Sequence, residues 1–131
     1  MSILTREEWR RAPCTARGHH AYTGGLLEHT VAVATLAQET CQLHGGLDPD
    51  LLLSAALIHD LGKTREFTYG AEFGLTEHGR LLGHLQLGQQ LIYERAKNIV
   101  PEPRLAALLH CILSHHGPAT PGNAGGGFLT R

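Results

Sequence analysis

Apolar residues recur at helical spacing through most of this chain. Between Leu26 and Leu43 they fall at Leu26, Val33, Leu36 and Leu43, with His29 on the same stripe. That i, i+3, i+7 spacing marks one buried face of a helix, and Gly45-Gly46 stops it. Asp48-Pro49 starts the next helix, with Asp as N-cap and Pro at the first position. This helix is apolar nearly all round and runs to about Leu61, so it is expected to be central; Gly62 ends it. A third long helix runs from about Glu77 or Arg80 to Asn98, with Leu81, His84, Gly88 and Leu91 inward. A fourth, about Arg104 to His116, puts Leu108, Leu109, Ile112, His115 and His116 on one side, with Gly117 as its stop. Ahead of these, Thr5-x-x-Glu8 predicts the cap of a short N-terminal helix. The segment 66–75 alternates weakly, as a small hairpin or a loop would. The Gly/Pro-rich stretch from Pro118 to Arg131 is expected to be a loose tail, with truncation there as one reading.

A length of 131 residues with 42% hydrophobic content fits a single globular domain, 1–131. Within it we expect an N-terminal helix and loop at 1–18, a core at 19–117 and the tail at 118–131. Eleven Lys and Arg against twelve Asp and Glu leave a formal charge of −1, which advertises no broad nucleic-acid or membrane surface. The apolar run from Leu51 to Ile58 is too short to span a bilayer, and Met1 to Arg11 carries no apolar signal core. Cys14, Cys41 and Cys111 are odd in number and far apart, as reduced thiols of a cytoplasmic protein would be. The unusual count is histidine, at ten.

Four helices each deliver a polar group from an otherwise apolar stripe: His29, His59-Asp60, His84 and His115-His116. One buried histidine alone is most simply a hydrogen-bonded core residue. Several crowded together lack enough acceptors, and repel one another when protonated, whereas a divalent metal uses their lone pairs directly. Asp60 adds negative charge and can bridge two ions. Lys63, one turn beyond, is placed to face a metal-held phosphate, although a cation at a helix C-terminus is favourable in itself. Arg80, one turn before His84, has a similar reading against that of a surface salt bridge. His19 and His20 are either loop residues or a rim over the site. His44 and His78 read as solvated, and His110 as packed or standing behind a ligand.

The order His29, His59-Asp60-x-Gly-Lys63, His84 and His115-His116 resembles the HD-domain superfamily of metal-dependent phosphohydrolases. The strings HHAYTGGLLEHT (19–30), AALIHDLGK (55–63), GRLLGHLQLG (79–88) and LLHCILSHHG (108–117) are similar to the HD domain of YhaM-type 3′→5′ exoribonucleases. The resemblance implies an all-α HD-domain bundle of five to six helices holding one or two divalent ions (Mn, Fe, Co, Ni or Zn). It implies His29, His59 and Asp60 as ligands of the first ion. His84, His115 and His116 would surround the second, with Asp60 shared. Asp60 and Lys63 would be catalytic, with Lys63, Arg80 and His20 toward the substrate. The expected reaction is attack of a metal-activated water on a phosphoester of a nucleotide, a short RNA or an RNA 3′ end.

Two departures from the family pattern bear on this expectation. YhaM-type enzymes usually carry an N-terminal oligonucleotide-binding barrel, and only about eighteen residues precede the resemblance here. Small nucleotides are therefore expected as readily as RNA, or a separate partner protein supplies RNA binding. HD enzymes usually close the first ion's shell with a late aspartate, yet no acidic side chain follows Glu102. That gap keeps a non-catalytic metal-binding remnant in view. Tyr22 and Glu28 beside the site keep a di-iron oxygenase in view as well.

Overall fold

The computed structural model describes residues 3–15, 20–68 and 74–117. The expected tail, His19 and the middle of the 66–75 segment lie outside these residues. The architecture is all-α: α1 (Ile3–Arg11), α2 (Gly25–Leu43), α3 (Pro49–Ile58), a single turn α4 (Lys63–Glu66), α5 (Glu77–Ala96) and α6 (Glu102–Ser114). Between α4 and α5 the weak alternation resolves into a two-stranded antiparallel hairpin. Phe67–Thr68 (β1) pairs with Gly74–Leu75 (β2) in the register Phe67 to Leu75 and Thr68 to Gly74.

Local chemistry sets most of these boundaries. The Asp48 carboxylate accepts the backbone N–H of Leu51, and Pro49 opens α3. The Thr76 hydroxyl accepts the N–H of Gly79 and starts α5. Each such cap contributes about 1 kcal/mol. At the N-terminus, by contrast, α1 is already running at Thr5, so the expected cap position lies inside the helix.

The core gathers Ala55, Leu61, Leu91, Ile92, Leu108 and Ile112, with Trp9, Leu51 and Ile58 against it. It sits where α3, α5 and α6 meet. Burying Ile112 completely contributes about 1.5–3 kcal/mol.

Four expectations need correction. First, α3 ends at Ile58 and not near Leu61: the 59–62 segment tightens into turns, with Leu61 N–H on Ile58 O and Lys63 N–H on Asp60 O. Lys63 therefore opens α4 and does not close α3. Second, α3 is not buried all round. It packs mainly on α2 and α6, and Leu57 is 44% exposed. Third, the α2 stripe is rotated. Leu26, Thr30 and Ala37 are buried on the side that meets α3, while Leu36 and Leu43 are exposed. His29 lies at the edge of that face. Fourth, Gly83 has φ 73 and ψ 166, which kinks α5. Leu81, before the kink, turns outward to 65% exposure, while His84, Gly88 and Leu91 keep the inward face.

A candidate metal centre between the helices

Asp60 is the middle of the site, and it is 4% exposed. The 59–62 turn points its carboxylate between α2, α5 and α6. Its two oxygens face different histidines. Oδ2 lies 3.4 Å from His29 Nε2, 3.3 Å from His59 Nε2 and 3.0 Å from Lys63 Nζ. Oδ1 lies 3.4 Å from Nε2 of both His84 and His115. The His29 and His59 Nε2 atoms are themselves 3.4 Å apart, and those of His84 and His116 are 3.0 Å apart.

The outer ring nitrogens are already engaged. His59 Nδ1 lies 2.8 Å from the Ala56 carbonyl and His115 Nδ1 2.6 Å from the Ile112 carbonyl. A carbonyl only accepts, so each Nδ1 carries the proton and each Nε2 presents a lone pair inward. His84 Nδ1 lies 3.5 Å from Glu66 Oε2, a carboxylate with the same effect. Lone pairs thus face carboxylate oxygen across gaps too long for good hydrogen bonds. Asp60 Oδ1 is buried with no hydrogen-bond partner among the described residues.

This donor set fits an ion. Donors about 2.0–2.1 Å from a tetrahedral metal stand about 3.4 Å from each other. The His29, His59 and Asp60 triangle has edges of 3.4, 3.4 and 3.3 Å. Asp60, His84, His115 and His116 also place donor atoms within 4.8 Å of one another. The two groups share Asp60 through different oxygens.

The electrostatics are consistent with an acceptor-rich cage. Burial alone would raise the Asp60 carboxyl, but the His115 and His59 rings beside it and the Lys63 charge outweigh it. The group stays well below the usual carboxylate range. Burial, with His115 and His84 alongside, lowers His116 to about 4, and burial also lowers His29. Those imidazoles are neutral near pH 7, the form that binds metal. For His59 burial works downward, but the Asp60 contact outweighs it and the pKa rises.

The structure thus brings together His29, His59, Asp60, Lys63, His84, His115 and His116. It does not bring in Arg80, which is exposed beyond the Gly83 kink, so the one-turn spacing to His84 is broken. His20 stands at the rim, with its ring 6.0 Å from that of His29. Its Nδ1 lies 2.9 Å from the Tyr22 hydroxyl, which in turn donates to Glu28. His110 is exposed on the outer face of α6, one residue round from the packed face, and so does not stand behind a ligand. His44 and His78 are exposed, as expected. Two residues escaped sequence reasoning. Glu66 ends α4 and reaches back to His84, and Cys14 sits 3.6 Å from Lys63 Nζ. The only signal for Glu66 was its place one turn after Lys63; for Cys14 there was none beyond its nearness to His19-His20.

An open cleft of about 520 Å³ adjoins the cage. Val33, Leu36, Leu52 and Ala56 give it apolar walls, and His29, His59 and His115 also line it.

Fold and cluster together define a class: helical proteins in which histidines from several helices surround one buried aspartate. The chain belongs to the HD domain family, which it matches over residues 26–125. It is 32% identical over 123 residues to the 3′-5′ exoribonuclease YhaM of Shouchella clausii (strain KSM-K16), covering 88% of this chain and 39% of that protein. It is 33% identical over 117 residues to the YhaM of Bacillus subtilis (strain 168), covering 88% and 37%. For the YhaM of Bacillus licheniformis the identity is 35% over 106 residues, covering 80% and 34%. The chain therefore spans well under half the length of these relatives. No solved structure matches. Among the described residues, no helix is long and apolar enough to cross a membrane.

Proposed function

We propose that this chain is a cytoplasmic metal-dependent phosphohydrolase domain that cleaves phosphodiesters of nucleotides or RNA 3′ ends. His29, His59 and Asp60 hold one divalent transition ion, and Asp60, His84, His115 and His116 hold a second. The observation that carries this reading is the division of Asp60, with Oδ2 toward one histidine pair and Oδ1 toward the other. When bound, such ions supply a water acidic enough to attack near pH 7 and positive charge for the phosphoryl oxygens.

The chain's own residues do the rest. The carbonyls of Ala56 and Ile112 and the Glu66 carboxylate fix the imidazole orientations. Lys63 directs a cation at the phosphate and stabilises charge as it develops there. The apolar cleft beside His29, His59 and His115 takes the organic part of the ester, and His20 borders the entrance. The similarity to proteins named 3′-5′ exoribonucleases supports RNA 3′ ends as substrates. The presence of Lys63 beside Asp60 favours an anionic ester over dioxygen.

The test uses purified protein loaded with Mn²⁺, Co²⁺ or Ni²⁺, given a chromogenic phosphodiester and end-labelled oligoribonucleotides. Metal-dependent hydrolysis is expected. Asp60→Asn should lose ion binding and hydrolysis together while keeping its helical circular dichroism. Turnover in Asp60→Asn equal to wild type would sink the reading, as would the absence of turnover in every metal.

A further inference from the structure

Among the described residues, Cys14 is a buried thiol that the proposed function leaves unused. It is 3% exposed. A buried cysteine most often packs as a small hydrophobe, but its surroundings here are ionic. Its Sγ lies 3.6 Å from Lys63 Nζ. The donor atoms of Cys14, His29 and Asp60 all lie within 4.8 Å of one another. The loop that carries it is pinned on both sides: Cys14 N–H donates to His20 O at 3.0 Å, and Leu26 N–H to Ala12 O at 3.0 Å. Those bonds hold the thiol against the start of α2, the helix that bears His29.

The His29, His59 and Asp60 triangle supplies three donors, and a tetrahedral ion takes a fourth. We propose that Cys14 is that fourth donor, a thiolate that would complete the first ion's shell. This inference rests on the two-ion reading above. A sulfur at about 2.3 Å and a nitrogen at about 2.1 Å from one metal stand about 3.6 Å apart. Against the His29 and Asp60 donors the thiol has to close by about 1.2 Å at most, from within 4.8 Å to about 3.6 Å, within reach of a side-chain torsion.

Lys63 supports the assignment. Its ammonium touches Asp60 Oδ2 at 3.0 Å and Cys14 Sγ at 3.6 Å. It therefore places positive charge between two of the proposed ligands. A bound ion would take over that charge and would free the flexible Lys63 stem to turn its ammonium toward a phosphate. On binding, the thiol proton leaves to solvent as the metal–sulfur bond forms, with no change of oxidation state. A sulfur donor biases the first site toward Zn²⁺, Fe²⁺ or Co²⁺ over Mn²⁺ or Mg²⁺, while the second site keeps only nitrogen and oxygen donors.

The experiment titrates Co²⁺ into the full chain and follows the ultraviolet sulfur-to-cobalt charge-transfer band alongside bound-metal stoichiometry. Wild type should show the band. Cys14→Ala should lose it and weaken one cobalt equivalent by tenfold or more, leaving the other in place. Cys41→Ala and Cys111→Ala should keep the band. X-ray absorption on the zinc-loaded protein gives a readout independent of any variant's folding, with a zinc–sulfur shell at about 2.3 Å expected. Cobalt or zinc bound with nitrogen and oxygen scattering only would overturn the Cys14 assignment and leave the phosphohydrolase reading standing. A band that survives in Cys14→Ala would overturn it equally. No bound metal in wild type would remove both.

Discussion

At the scale of the residue, one carboxylate decides the site. Asp60 is buried among His29, His59, Lys63, His84 and His115. Taking it out of water costs several kcal/mol, which the Lys63 ammonium 3.0 Å away helps to compensate. The pattern of polar residues on apolar stripes made these side chains legible in the sequence, because burial of an imidazole needs a reason that helical spacing exposes. Glu66 was not legible, since it lies in a short turn with no periodicity, and only the folded geometry sets it 3.5 Å from His84 Nδ1. Its role has a direct check. Glu66→Gln keeps the shape but removes the charge that makes His84 a better donor, so one ion should bind 10–100-fold more weakly. Calorimetric titration with Zn²⁺ measures this; equal affinities at both sites in wild type and variant would refute it.

At the scale of the element, the site depends on how closely α4 and its preceding turn approach α5. Gly62 marks that approach. A Cβ there would stand 1.9 Å from His84 O and 2.5 Å from Gly88 N, both rigid backbone. Gly62→Ala should therefore push α5 away, destabilise the fold by about 1–3 kcal/mol and open the His84 side of the cage. Denaturant midpoints and bound-metal stoichiometry of the variant test both parts; wild-type values for the two would show that the contact gives way at no cost. The helix starts at Asp48-Pro49 and Thr76 were written in capping chemistry, and the first was read directly. The Gly83 kink was hidden, because Leu81, His84, Gly88 and Leu91 continue a regular period that a positive φ interrupts. Arg80 was misplaced for that reason alone. The rotation of α2 was hidden too: periodicity fixes the spacing of an apolar face but not which of two neighbouring stripes a partner helix covers.

At the scale of the molecule, the cage couples metal, protons and stability. Without metal, His116 is lowered to about 4 by burial and by His115 and His84. An unfolded histidine titrates near 6.5. Between those values the unfolded chain binds a proton that the folded chain refuses, so this group's contribution to stability is present above about pH 6.5 and is lost as the pH falls toward 4. His29, also lowered, acts in the same direction; His59, raised, opposes them. The difference between wild type and His116→Gln isolates one group. Metal-free wild type should lose more stability than the variant between pH 7 and pH 4.5, as read from denaturant midpoints. Parallel losses would place His116 outside the buried cage. Metal adds a second dependence of the same sign. Saturating Zn²⁺ stabilises the folded state in proportion to its affinity, and its ligands must be free of protons. The rise in melting temperature on adding Zn²⁺ should therefore be largest near pH 7.5 and shrink steadily toward pH 4.5, where His59 and finally His116 take up protons in its place. A metal-induced rise that stays constant across this range would mean the ion binds outside the histidines around Asp60.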